Sequence, residues 1–187
     1  MKFFAILAST TAGGIGYVAE GSVGAIPWPI IARDRKFFKE TTTVTLDPNK
    51  KNGVIMGRGT WESLSKEYRP LPGRVNAVIS STVKDFGEGV LVFSSLQDAL
   101  DHFAEDEEHI ENVFVCGGAR LYNEAFCHPD CGRVYHTLVN TNAVCNVFVD
   151  FFSLLTKFER VQDYGGVQQT GNGLDFYITV NDRTWGK

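Results

Sequence analysis

NVFVCGGARLYNEA, residues 112–125, sets an apolar run, a pair of glycines and a candidate helix end to end. NVFVCGG (112–118) is almost continuously hydrophobic, as a strand covered on both faces of a sheet would be. Residues 118–125 then read as a helix lying back over it. A strand that turns directly into a helix is the repeating unit of a parallel α/β sheet. The same order recurs elsewhere. FFAILAS (3–9), GVIMG (53–57), VNAVIS (75–80) and VLVF (90–93) are strand-like runs bounded by Gly, Asn or Ser. Candidate helices occupy 33–42, 59–65 and 95–104, the last preceded by a cap-like Ser94 or Ser95.

Beyond residue 130 the pattern changes. RVYHTLVN (133–140) and LDFYITVND (174–182) are strand-like with no convincing helix between them, and GGVQQTGNG (165–173) reads as a turn-rich connection. Two such late strands are expected to be antiparallel partners at the end of the sheet. The expected fold is therefore α/β, one domain over 1–187, with a mostly parallel central sheet, an antiparallel C-terminal strand and flanking helices.

With 187 residues, 43% hydrophobic and 21% charged, the chain has ordinary globular composition. Its net charge of −4 gives no support to nucleic-acid binding, which would favour a basic face. No apolar run reaches the roughly 20 residues needed to cross a bilayer. MKFFAILAST imitates a short signal peptide, but FFAILAS serves equally as a buried first strand. The four cysteines show no C-x-x-C spacing, and CHPDC (127–131) lacks the second ligand pair that zinc requires. Reduced thiols, no metal and a cytoplasmic location are expected.

Ligands of an open α/β sheet bind beyond the carboxyl ends of its strands, and three glycine-containing segments follow strands here. GRGT (57–60) opens a helix, where free N–H groups attract phosphate and Arg58 adds a planar cationic fork. CGGARLY (116–122) repeats the arrangement, its glycines allowing a ligand to lie against the backbone. Neither is a G-x-G-x-x-G fingerprint, but together they favour an extended ligand such as a dinucleotide. GGIGYVAEGSVGAIPWP (13–29) is long and aperiodic, suited to a lid. After it, positions 30, 31, 34, 37, 38 and 41 share a helical face, which puts Asp34 among Ile30, Ile31, Phe37 and Phe38. An acid there is either a pocket carboxylate with a raised pKa or a helix-start acid favoured by the dipole.

Taken in order, GIG (14–16), IPWP (26–29), DRKFFKETTT (34–43), VIMGRGTWESL (54–64), RPLPGRVNAVIS (69–80) and VFVCGGARLYNEA (113–125) resemble dihydrofolate reductases over nearly the whole chain. The resemblance implies a monomeric enzyme that reduces 7,8-dihydrofolate with NADPH, passing hydride to C6 while N5 gains a proton, and that binds antifolate-type molecules. It makes Asp34 the pocket carboxylate, Thr137 its support and Trp28 an ordering residue near the reacting centre. It gives Arg74 to the substrate's α-carboxylate, and Ile6, Leu7, Phe38, Leu64, Leu71 and Cys116 to the substrate walls. On the cofactor side it places Ala8, Ile15 and Gly16 near the nicotinamide. Gly57, Arg58, Gly59 and Thr60 fall on the first phosphate segment and Ser80 and Ser81 on the adenosine side. Cys116, Gly117, Gly118, Ala119, Arg120, Leu121 and Tyr122 fall on the second segment. The rivals are another NADPH-dependent pterin or pyrimidine reductase and a non-catalytic folate- or nucleotide-binding module. IPWP, Asp34 and Arg74 together disfavour the first, and the retained Asp34 argues against the second.

Four departures accompany the resemblance. YVAEGSVGA (17–25) lengthens the lid. Arg35 stands where the substrate wall is often bulky and apolar, Ser81 where a basic residue often selects NADP, and Asn146 at an often acidic position.

Overall fold

In the computed structural model, which describes residues 1–184, the chain runs β1 (Phe3–Thr10), β2 (Gly14–Gly16), α1 (Ala32–Thr43), β3 (Lys51–Gly57), α2 (Arg58–Ser63) and β4 (Arg74–Ile79). It goes on through β5 (Val90–Phe93), α3 (Leu96–Glu105), β6 (Ile110–Val115), α4 (Ala119–Cys127) and β7 (Cys131–Asn140). β8 (Val147–Phe148), α5 (Phe151–Lys157), β9 (Phe158–Asp163), β10 (Gln168–Gln169) and β11 (Asp175–Arg183) complete it.

The main sheet has the order β10-β11-β7-β1-β6-β3-β4-β5, with β9 also against β11. Every pairing from β7 to β5 is parallel. β11 lies antiparallel to β7, β9 and β10. The fold is thus mixed α/β with a mostly parallel centre and an antiparallel C-terminal strand. No helix among the described residues is long and apolar enough to cross a membrane.

The two late strands are antiparallel partners, as expected: β11 lies against β7, while β7, reached from β6 through α4, runs parallel to β1. Two expectations need correcting. The interval between the two late strands is not helix-free: it holds α5 and β9. The segment 13–29 is partly ordered as well, since β2 pairs with β8 and Tyr17 bridges Ala25.

The parallel strands alternate their side chains between two cores. On one face Phe3, Ala5 and Leu7 of β1 join Ile55, Val113, Val115, Phe103 of α3 and Leu121 and Phe126 of α4. On the other, Ile6 joins Val54, Met56, Trp61, Val78, Phe114 and Cys116, covered by Phe37 and Phe38 of α1. The helix starts follow local chemistry. Ser95 caps α3 by accepting from the Asp98 N–H at 3.1 Å, and Asp150 caps α5 by accepting from the Ser153 N–H at 3.0 Å. Ile30 leaves the expected apolar face: it precedes α1, where helical spacing does not apply, and is 66% exposed.

Candidate active site

β6 and β3 are neighbours, so the segments that follow them meet at the carboxyl edge of the sheet. The Gly57 N–H donates to the Gly117 carbonyl at 2.7 Å, tying the two glycine turns together. Gly57 is the N-cap of α2 and Gly118 that of α4, and neither helix start receives a side-chain cap. Two uncapped helix starts therefore lie side by side, each presenting N–H groups and positive dipole ends. Gly117 has φ +117°, and a Cβ there would stand 3.2 Å from both Thr60 Oγ1 and the Tyr122 hydroxyl. Only glycine fits that conformation between those two groups.

Arg58 and Arg120 are exposed beside these turns. Arg58 is lightly held, 3.3 Å from Thr82 Oγ1 and 3.7 Å from Glu62. Ser80 is buried and its Oγ accepts the Val83 N–H at 2.9 Å, whereas Ser81 is exposed. Paired uncapped helix starts, exposed arginines and a backbone bare of Cβ atoms suit the phosphates of an extended ligand.

α1 carries Asp34 one turn before Phe38, on the face turned to the sheet. Phe38 and Leu64 pack against the buried cluster of Ile6, Leu71 and Cys116, which forms the apolar wall beside the acid. Burial raises the Asp34 pKa, while a hydrogen bond from the Thr137 hydroxyl and the nearby Arg35 charge pull it down. Thr137 is itself buried, on β7 directly opposite Ala8 of β1. Tyr122, whose hydroxyl donates to the Ile6 carbonyl at 2.8 Å, has its pKa raised by burial and then by Cys116 and Asp34. Burial also pushes the Cys116 thiol up to about 12, so it stays protonated and packs as a small apolar group.

Arg74 approaches the same wall from β4. Its guanidinium lies 5.9 Å from the Phe38 ring centre, and Nη1 donates to Thr42 Oγ1 at 2.8 Å and Nε to the Pro72 carbonyl at 3.1 Å. Nη2 makes no hydrogen bond among the described residues. Burial lowers the Arg74 pKa, yet the group remains a fixed cation.

Trp28 is buried with Ile31, Val139, Phe176 and Ile178, with Ala8 and Phe37 packed against them. Phe37 belongs to this cluster and to the Asp34 wall at once. Ile15 packs against the opposite core, and Gly16 is buried next to Ala25. The lengthened segment 17–25 forms a closed loop, with reciprocal Tyr17–Ala25 backbone bonds of 2.9 Å each way. Asn146 straps it down: Oδ1 accepts the Val18 N–H and Nδ2 donates to the Val18 carbonyl, both at 2.8 Å.

Two assigned residues do not present side chains here. Leu7 and Leu121 are buried in the core across the sheet, so each can meet a ligand only through its backbone. Arg35 points outward, and Ala119 lies partly exposed at the start of α4. Two supports escaped the sequence reading, Thr42 under Arg74 and the Tyr122–Ile6 bond, because both join segments remote in the chain. Among the described residues no group of three metal-ligating side chains converges. His128 of CHPDC instead packs against Phe3, and Cys131 is buried.

The dihydrofolate reductase family model matches residues 2–183. The dihydrofolate reductase of Heliothis virescens is 38% identical over 168 residues, covering 86% of this chain and 88% of that protein. That of Drosophila melanogaster is 35% identical over 169 residues, covering 87% and 90%. The structure of Schistosoma mansoni dihydrofolate reductase superposes with a TM-score of 0.81 at 33% identity, covering 98% of this chain and 99% of that one. The chain belongs to the dihydrofolate reductase family.

Proposed function

We propose that this chain, acting as one monomeric domain over 1–187, reduces 7,8-dihydrofolate to 5,6,7,8-tetrahydrofolate with NADPH and so supports one-carbon metabolism and nucleotide synthesis. The observation that carries this reading is Asp34, an acid largely buried beside an apolar wall, its carboxyl supported by the Thr137 hydroxyl.

A carboxylate in that place accepts two hydrogen bonds from the amidine-like edge of a pterin and so fixes the ring's orientation. Its raised pKa keeps a proton available nearer neutrality than an exposed aspartate would. A water between Asp34 and N5 is the route by which that proton reaches the ring. Trp28 and the lid loop restrict water around it. Ile6, Phe38, Leu64, Leu71 and Cys116 hold the rest of the substrate, with Arg74 on the α-carboxylate. Gly57, Gly59, Thr60, Gly117 and Gly118 would hold the cofactor's phosphates, with Arg58 near the 2′-phosphate, while Ala8, Ile15 and Gly16 would flank its nicotinamide. Bound there, NADPH supplies the hydride that goes to C6. Ser81 adds no charge, so discrimination against NADH falls mainly to Arg58.

The test is steady-state absorbance of NADPH oxidation with and without dihydrofolate, repeated with NADH. Oxidation that depends on dihydrofolate and prefers NADPH is the expected result. Tight binding of both molecules without turnover would make the chain a binding module instead.

A further inference from the structure

Cys127 ends α4 and Lys157 ends α5, 30 residues apart in the chain, and Lys157 Nζ lies 3.1 Å from Cys127 Sγ. Neither residue belongs to the site described above. The contact does not join two loose segments. Arg183 of β11 donates from Nη2 to the carbonyls of Phe126 at 3.0 Å and His128 at 2.7 Å, the residues on either side of Cys127. The same guanidinium lies 4.6 Å from the ring centre of Phe158, the residue after Lys157. Thr184 completes the clamp, giving its N–H and its hydroxyl to the Lys157 carbonyl at 2.9 and 3.1 Å. Both backbones are thus tied to the end of one strand, which holds the amine against the sulfur.

The sulfur is open to solvent, and its other neighbours are engaged or out of reach. Cys127 is exposed, whereas Cys131 is buried. The His128 ring is used at both nitrogens, with Nε2 3.2 Å from Gln97 Oε1 and Nδ1 accepting the Asp130 N–H at 3.1 Å. Lys157 makes no ion pair among the described residues. An exposed thiolate is the form that hydroperoxides oxidise, and the sulfenic acid produced condenses with a nearby nucleophile. A nitrogen held at contact distance acts at an effective concentration far above that of thiols in solution.

We infer that Cys127 and Lys157 form an oxidative cross-linking site, closed by a hydroperoxide and reopened by thiols. With hydrogen peroxide, the Cys127 thiol takes one oxygen and becomes a sulfenic acid, and the peroxide leaves as water. The deprotonated Lys157 amine then attacks the sulfur. The S–N bond forms, the S–O bond breaks, and the hydroxyl departs as a second water with a proton from nitrogen. Sulfur loses two electrons and the peroxide gains them. Two thiols reverse the step, restoring thiol and amine and leaving as a disulfide. The bond closes a 30-residue span and so restricts the unfolded chain. It lies at the opposite end of α4 from the Gly117–Gly118 turn.

The probe is hydrogen peroxide on the full chain at low protein concentration, read by intact mass and peptide mapping. The expected product has lost two hydrogens, joins the peptides that contain residues 127 and 157, and is undone by dithiothreitol. Its thermal midpoint should exceed that of the reduced protein by roughly 5–10 °C. Lys157→Arg keeps a cation beside the sulfur but removes the amine nucleophile, and Cys127→Ser removes the sulfur. Neither variant should show the joined peptides or the rise in midpoint, while the unfolding transition of each reduced variant shows that it is folded. Recovery of Cys127 as a sulfinic acid or an intermolecular disulfide with Lys157 unmodified would overturn the site. So would the same midpoint rise in oxidised Lys157→Arg.

Discussion

Residues 136 and 137 are adjacent on β7, and residues 8 and 9 on β1, yet the two faces of these strands hold opposite kinds of polar pair. On one face Thr137 bonds Asp34 beside the pocket wall. On the other, Ser9 and His136 are 0% and 6% exposed, with Ser9 Oγ 2.8 Å from His136 Nε2 and the Phe151 ring closing over the imidazole at 5.8 Å. Ser9 donates its own proton to the Thr10 carbonyl at 3.0 Å, so His136 must donate from Nε2. Burial pushes both titrating groups toward their neutral forms, raising Asp34 and lowering His136 to about 4. The difference is in what opposes burial. Asp34 has a hydroxyl donor and a neighbouring guanidinium that pull its pKa back down against burial. For His136 burial acts alone, and the imidazole is a neutral strut. Desolvation makes a usable proton store only where something partly offsets it.

The largest effect that would test this contrast is Asp34→Asn, expected to lower kcat at neutral pH by about 10²–10⁴-fold with NADPH affinity little changed. The same change should raise the thermal midpoint. Because the folded-state pKa of Asp34 lies above its unfolded value, the ionised group opposes folding at higher pH, and this penalty is relieved as pH falls through the folded pKa. Asparagine removes the penalty; a lower midpoint would show that the carboxylate is a net stabiliser and end the contrast.

His136→Ala should do the reverse, costing about 2–4 kcal/mol in urea unfolding through the cavity it leaves, with a far smaller change in kcat. Next comes pH. The folded pKa of His136, about 4, lies below the unfolded value of about 6.5. Its contribution is complete above the unfolded pKa and is lost as pH falls from there toward 4, amounting to about 3 kcal/mol. Denaturant titrations across that range should show this loss in the unaltered protein and a flatter profile in His136→Gln. Equal slopes would mean that His136 does not govern acid sensitivity. The smallest effect is Arg74→Lys, expected to raise KM for dihydrofolate about ten-fold by losing a planar charged contact. The KM for NADPH should stay within about two-fold, and parallel losses would move Arg74 out of the substrate site.

The pocket face was far more legible in the sequence than the closed one. Asp34 could be set inward by helical spacing because α1 is three turns long, and the glycine turns stood out because each follows an apolar strand. The Ser9–His136 bond depends on the register that sets Ala8 against Thr137, and no local pattern carries that information over 127 residues. FFSLLTK was missed as a helix because seven residues, mostly apolar at the start, show no clear 3.6-residue period. Asp150 at its head was a usable start signal. Ile30 was over-read for the opposite reason, a periodic pattern extended past the first turn of its helix.

The Asn146 strap has a consequence of its own. A carboxylate there could accept from Val18 but not donate to it, and its grip would vary with acidity. The side-chain amide does both jobs and has no proton to gain or lose across the working range. The hasp on that loop is therefore deaf to acidity.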